Sequence, residues 1–424
     1  MRFGTASVPA GFLAVTAVAA VPFKDVSPWR HPSKPAQHAI SSIQLGPRPY
    51  YLVNDMDEGW LKDRLNACTE MPMQPTKFSI GHRGGACLQF PEETRESIMA
   101  GTRMGAGVQE CDVAFTKDLQ FVCRHDQCDL HTTTNIVATE LGAKCTTPFK
   151  PAGNGTAATA KCCTSDITLA EFKTLCGKMD GFNASAKTPE DFLHGTPAWR
   201  TDLYATCGTV LGHKDYIQLV DSLGLDFTPE LKLPGVKMPF GNYTTQMYQQ
   251  QLVDEYREAK IDFSRVWPQS FQFDDVAYWL KHEPKFGRQA VLLDESGDTA
   301  DTFPGAVANL TFYKEQGVNI VAPPLPYLVT LDKNNEYIPS SYAIKAKELG
   351  LKIITWSLER SGPLANGGDY YYFSVTNGTN NDGDILKLVD VLARQVGVMG
   401  IFSDWSATVT YYANCFGLFQ GPHL

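Results

Sequence analysis

From Lys77 onward the chain alternates short apolar runs, each of strand length, with stretches of helical period. The strand candidates are residues 77–82, 108–114, 225–232, 266–271, 290–295, 318–322, 352–357 and 399–404. Helical candidates lie between most of them, at 93–105, 215–223, 245–259, 274–282, 341–349 and 385–396. Strands separated by helices run parallel, because each connection is long enough to cross back over the sheet. Eight of them fit a closed (β/α)8 TIM barrel, expected over residues 76–416. An open doubly wound sheet shares the alternation, and strand count does not separate the two. Residues 21–75 are Pro-rich, with one short helical candidate at 58–68, and read as an N-terminal arm.

One strand stands outside the parallel set. Residues 119–125 follow the second strand with only Lys117-Asp118 between, and so short a link joins antiparallel strands. A β-hairpin is therefore expected beside the barrel mouth. The stretch from 126 to 213 then has no clear period and holds six of the chain's eleven cysteines. It reads as a disulfide-rich insertion on the loop after the second barrel strand, at the barrel end where loops carry function. Ten of the cysteines are expected to pair, most of them in or beside this insertion. Cys68 and Cys415 flank the first and last strands, which are neighbours in a closed barrel, and are expected to bridge. Cys111 is the expected free thiol, since it should point into the strand–helix layer.

Residues 1–20 read as a signal peptide: Arg2, an apolar stretch from Gly11 to Ala20 and a small-x-small site at Ala17-Val18-Ala19. Sequons at Asn154, Asn183, Asn242, Asn309 and Asn377 suit a secreted, extracellular glycoprotein. No later segment is long and apolar enough for a transmembrane span. A formal charge of −9 argues against nucleic acid as a partner, because binding its backbone takes basic surface.

The chemistry gathers at strand ends. Residues two apart on a strand share a face, so Glu110 projects with Asp112, and Glu230 with Lys232. Carboxylates so close repel unless a cation lies between them. Three oxygen donors from adjacent strands, with positions left for water and substrate, suit one hard divalent cation, Ca2+ or Mg2+. A solvated polar face would explain the same spacing, but a barrel strand has no solvated face. His82 and His125 end strands that should lie near one another and make an acid–base pair, since imidazole titrates near neutrality. Arg83 and Lys232 are the candidates for holding phosphate oxygens.

Six short segments occur in order: His82-Arg83-Gly84, Pro91-Glu92-Glu93-Thr94, Glu110-Cys111-Asp112, Thr116-Lys117-Asp118, His125-Asp126 and Glu230-Leu231-Lys232. As an ordered set they resemble the glycerophosphodiester phosphodiesterases. The resemblance implies a TIM barrel, metal ligands at Glu110, Asp112 and Glu230, and catalytic histidines at His82 and His125. It implies hydrolysis of a glycerophosphodiester to glycerol 3-phosphate and an alcohol. Two departures bear on head-group recognition. Glu93 stands where the family usually has Asn, and Trp356-Ser357-Leu358-Glu359 stands where it often has Trp-Thr-x-Asn. Trp356 is the candidate wall of the substrate pocket. A related phospholipase D-like activity, of the sphingomyelinase D type, on lysolipids or sphingolipids would share the same core. A non-catalytic binding barrel would be favoured only by a missing histidine or ligand, and none is missing.

Overall fold

The computed structural model describes residue 40 and residues 42–419. The expected signal peptide lies outside the described residues, as does the first part of the expected arm. Eight parallel strands form a closed ring: β1 (Thr76–Gly81), β2 (Ala106–Phe115), then β4 (Asp226–Leu231), β5 (Gln269–Ser270), β6 (Val291–Leu293), β7 (Ile320–Ala322), β8 (Lys352–Leu358) and β9 (Gly400–Ser403). Each pairs with the next, and β1 pairs with both β2 and β9, which closes the barrel. The ninth strand of this sheet, β3 (Phe121–Cys123), runs antiparallel to β2, and three short two-stranded ribbons among the described residues lie outside it.

Strand periodicity explains where the site forms. A plug of alternate residues fills the barrel, among them Ile80, Val108, Ile354 and Phe402. Two residues further along the same strands, on the same face, come His82, Glu110, Trp356 and Asp404. The apolar layer is thus the floor, and the next layer toward the strand C-termini carries the polar groups. Strand β2 is long enough to serve two partners on one edge. Its Ala106–Gln109 half pairs with β1, and Val113–Phe115 pair with β3. The hairpin therefore continues the β1 side of the barrel upward and sets His125 beside the mouth.

The outer layer comprises α3 (Arg95–Arg103), α4 (His213–Ser222), α5 (Thr245–Glu258), α6 (Phe273–His282), α7 (Phe303–Glu315), α8 (Ser341–Glu348), α9 (Asp384–Val391) and α10 (Ala407–Phe416). Helix α9 runs on into a wider turn at Leu392–Val396. Ahead of the barrel lie α1 (Arg48–Asp55) and α2 (Trp60–Asn66). Both pack on α10, through Tyr50 against Tyr411 and through the Cys68–Cys415 disulfide. Helices α1, α7 and α10 were not expected from the sequence.

The insertion is more than stapled loop. It has a small core of its own, with Leu130, Ile136, Ile167, Phe172 and Phe192 fully buried. Cys128–Cys163, Cys145–Cys162 and Cys176–Cys207 pin it internally. The expectation for Cys111 is corrected: it bridges Cys123, and the free cysteine is the buried Cys87. Cys111 does face away from the barrel interior. Cys123 faces the same way, because it sits opposite Val113 in the hairpin, and the Cα atoms lie 5.2 Å apart.

Candidate active site

Strand β1 ends in a tight turn that calls for glycine at two positions. Arg83, Gly84 and Gly85 all have positive φ, at 50°, 106° and 79°. A Cβ on Gly85 would fall 2.2 Å from Ser406 Oγ, and one on Gly84 would fall 2.8 Å from the Ile98 nitrogen. The turn aims the Arg83 N–H at Glu110 Oε2, 2.8 Å away. Thr94 caps α3 by accepting from the Ser97 N–H. Glu92, two residues before this cap, is brought to the Arg83 guanidinium, with Nη1 to Oε1 2.9 Å.

Glu110, Asp112 and Glu230 come together. One oxygen from each lies within 4.8 Å of the others, and all three side chains are buried. Both carboxylate oxygens of Asp112 are buried and accept no hydrogen bond. Arg83 Nε lies 3.4 Å from one of them. Glu110 takes Gln269 Nε2 at 2.7 Å, and Glu230 takes Lys232 Nζ at 2.6 Å. Burial and the neighbouring Asp112 charge push Glu110 well above the usual carboxylate range. The same two causes push Glu230 up to about 8, against the pull of Lys232. Arg83 and Lys232 offset only part of the charge of three buried carboxylates, and the donor set fits a hard divalent cation.

His82 Nδ1 lies 2.5 Å from Asp404 Oδ1, and its Nε2 lies 3.9 Å from Glu110 Oε2. Burial, with help from Arg83, lowers His82 to about 4, although Asp404 opposes the shift. Asp404 itself is held well below the carboxylate range by Arg360 and His82, against the effect of burial. His125 is half-buried, and burial with the charges of Arg83 and Lys232 holds it well below its ordinary value. Lys232 stays charged despite burial because Glu230 and Asp112 raise it.

His82, Arg83, Glu110, His125, Glu230, Lys232 and Trp356 all line one cavity of about 540 Å3, with Asp112 buried beneath. Trp356 forms an aromatic wall with Phe271 and Tyr371, at ring distances of 5.7 and 6.0 Å, and its Nε1 donates to the Ala322 carbonyl. Asp180 lines the same cavity and comes from the insertion. Sequence reasoning missed Asp404, Glu92, Gln269 and Arg360. Asp404 ended the last strand candidate and Glu92 lay in a quoted motif, so both had a signal.

The two departures from the family pattern share one backbone conformation. Glu93 and Glu359 both adopt positive φ, 58° and 68°, a conformation that Asn tolerates better than most residues. Neither lines the cavity. Glu93 accepts the Asp112 N–H at 3.1 Å, and Glu359 accepts the Ser403 hydroxyl at 2.8 Å. Both side chains are turned to protein groups beneath the site.

A model of the glycerophosphoryl diester phosphodiesterase family matches residues 82–408, from His82 to just beyond Asp404. The chain belongs to this family. A protein of Arthroderma benhamiae named "Extracellular protein" is 51% identical over 245 residues, which are 57% of this chain and all of that protein. The crystal structure of a Silicibacter pomeroyi protein, assigned as a glycerophosphoryl diester phosphodiesterase, superposes with a TM-score of 0.52. That likeness covers 85% of this chain and 99% of that one at 17% identity, and it shows the barrel fold. An Oleispira antarctica phosphodiesterase, solved with its product sn-glycerol-3-phosphate, gives a TM-score of 0.46 at 15% identity, over 79% of this chain and 96% of that one. As a member of the glycerophosphoryl diester phosphodiesterase family the chain is a phosphoric diester hydrolase. Among the described residues no helix is long and apolar enough to cross a membrane.

Proposed function

We propose that the chain hydrolyses glycerophosphodiesters to glycerol 3-phosphate and an alcohol, assisted by one divalent cation, Ca2+ or Mg2+. The observation that carries this reading is the buried carboxylate cluster, with its unpaired Asp112 oxygens, in the same cavity as two histidines. Glu110, Asp112 and Glu230 would hold the cation, which when bound supplies Lewis-acid polarisation of the phosphoryl group. Arg83 and Lys232 would hold non-bridging oxygens. Asp404 fixes the His82 ring, so that one imidazole nitrogen faces the Glu110 side. His82 and His125 then share the two proton transfers, one taking the attacker's proton and the other giving one to the leaving oxygen. Water or the substrate's own glycerol 2-hydroxyl could be the attacker, and both routes need the same pair.

Residues 126–213 act in this reading as an insertion subdomain over part of the mouth, a role supported by Asp180 at the cavity. Phospholipase D-like action on lysolipids is the second reading. It is favoured by Leu233, which lines the cavity yet is 62% exposed, next to the aromatic wall. Secretion is supported by the five disulfides and the extracellular name of the Arthroderma relative. The test is 31P NMR of glycerophosphocholine and of lysophosphatidylcholine, each with and without chelator. Chelator-sensitive release of glycerol 3-phosphate from the small diester supports the proposal. Turnover of the lysolipid alone, or turnover indifferent to chelator, contradicts it.

A further inference from the structure

We infer that Arg360 is a further substrate-binding residue, whose guanidinium contacts the phosphoryl oxygens of the diester together with Arg83 and Lys232. The inference rests on the phosphodiesterase reading above. Arg360 follows β8 by two residues, next to the segment where this chain departs from the family pattern, and it lines the catalytic cavity. Its Nη2 lies 3.0 Å from Glu92 Oε2, and its Nε lies 2.9 Å from Asp404 Oδ2. The Glu92 hydrogen bond and the Asp404 ion pair hold the guanidinium in place. Its Nη1 makes no hydrogen bond among the described residues and is not among the buried orphaned atoms, so one nitrogen is left for a ligand. A fork held rigid in this way loses little freedom when it engages an anion.

Neither acid belongs to Arg360 alone. Glu92 also takes Arg83 at 2.9 Å and Arg200, from the insertion, at 3.5 Å, while Asp404 also takes His82 at 2.5 Å. This wall therefore carries three guanidinium groups against two carboxylates and is net positive. The facing wall carries three carboxylates against Lys232 and is net negative. A divalent cation would offset the carboxylate wall, which leaves the positive charge of the guanidinium wall to face a phosphodiester monoanion. Asp126 and Glu295 at the same cavity are exposed and Asp180 is half-buried, so solvent screens them more.

The test uses the full-length, Mg2+-loaded protein with Arg360→Met and Arg360→Lys. Inorganic phosphate is titrated by calorimetry, and glycerophosphocholine turnover is resolved into kcat and KM. Arg360→Met should weaken phosphate binding at least about tenfold, as expected for a lost charge-assisted hydrogen bond, and raise KM by a similar factor. Arg360→Lys, which keeps the charge without the fork, should fall between, and it carries the test if the Met variant fails to fold. Mg2+ affinity should stay within about twofold, since Arg360 touches none of the three clustered carboxylates. Unchanged phosphate affinity with only kcat reduced would mean that Arg360 acts solely through Asp404 and His82, and it overturns the inference. If phosphate binds in an Arg360-dependent way but no glycerophosphodiester is hydrolysed, the inference stands and the proposed function fails.

Discussion

Replacing Asp404 by Ala tests whether His82 works through its partner. Asp404 has two partners to lose: the His82 ring, with Nδ1 at 2.5 Å, and the Arg360 guanidinium, an ion pair with Nε 2.9 Å away. Removing one member of a buried ion pair costs about 3–5 kcal/mol. Arg360 keeps Glu92 at 3.0 Å, so the stability loss should sit near the lower end, about 3 kcal/mol. The effect on turnover has a separate ceiling. An acid–base group contributes about 10²–10⁴-fold, and an orienting partner can cost no more than the group it orients. Asp404→Ala should therefore lower kcat about a hundredfold, and Asp404→Asn, which keeps the shape, should cost less. The assay is a double-mutant cycle on kcat with His82→Ala, alongside urea unfolding of each variant. In the His82→Ala background the Asp404 change should cost less than about threefold, because the oriented group is already gone. An equal cost in both backgrounds would refute the reasoning, since Asp404 would then act independently of His82.

Other outcomes follow from the same geometry. His125→Ala should lower turnover at least about a hundredfold and hardly move the unfolding midpoint, as this half-buried ring makes no hydrogen bond among the described residues. Paired Cys111→Ala and Cys123→Ala changes open a loop of 12 residues and should cost about 3 kcal/mol of stability, read by denaturant unfolding. Glu359→Asn should keep kcat/KM within about threefold, because the residue lies outside the cavity and Asn tolerates its positive φ. If the insertion acts as a lid, the intact enzyme should prefer glycerophosphocholine to its lysolipid counterpart, and replacing residues 126–213 by a short linker should admit the lipid; a lipid preference in the intact enzyme would count against the lid.

What the sequence made legible, and what it hid, follows burial and period. The barrel strands were readable because each is a short, largely apolar run, most of them set apart by stretches of helical period. The Glu-x-Asp and Glu-x-Lys spacings are faces of single strands, so Glu110, Asp112, Glu230 and Lys232 could be placed together before their contacts were known. Helix α10 was missed because it is buried almost all round, which leaves no polar stripe to mark a helical period. Helix α7 was missed for the opposite reason: only Ala306 and Leu310 are buried, and Phe312 is 47% exposed. The pairing of Cys111 depended on which residue of the hairpin came opposite it, and that register is set by the turn, in which Leu119 adopts positive φ. Arg200 and Arg360 sit in loops whose paths no local pattern fixes, so their meeting at Glu92 became visible only in three dimensions.

Everything proposed for the site depends on Glu110, Asp112 and Glu230 sharing one divalent cation. Anomalous diffraction from crystals of the protein soaked in Mn2+ tests it directly. One strong peak should lie within about 2.0–2.6 Å of a carboxylate oxygen from each of the three residues, the range for Mg2+- and Ca2+-type oxygen ligands. A peak elsewhere, or none at this cluster with the three carboxylates still packed together, would contradict it.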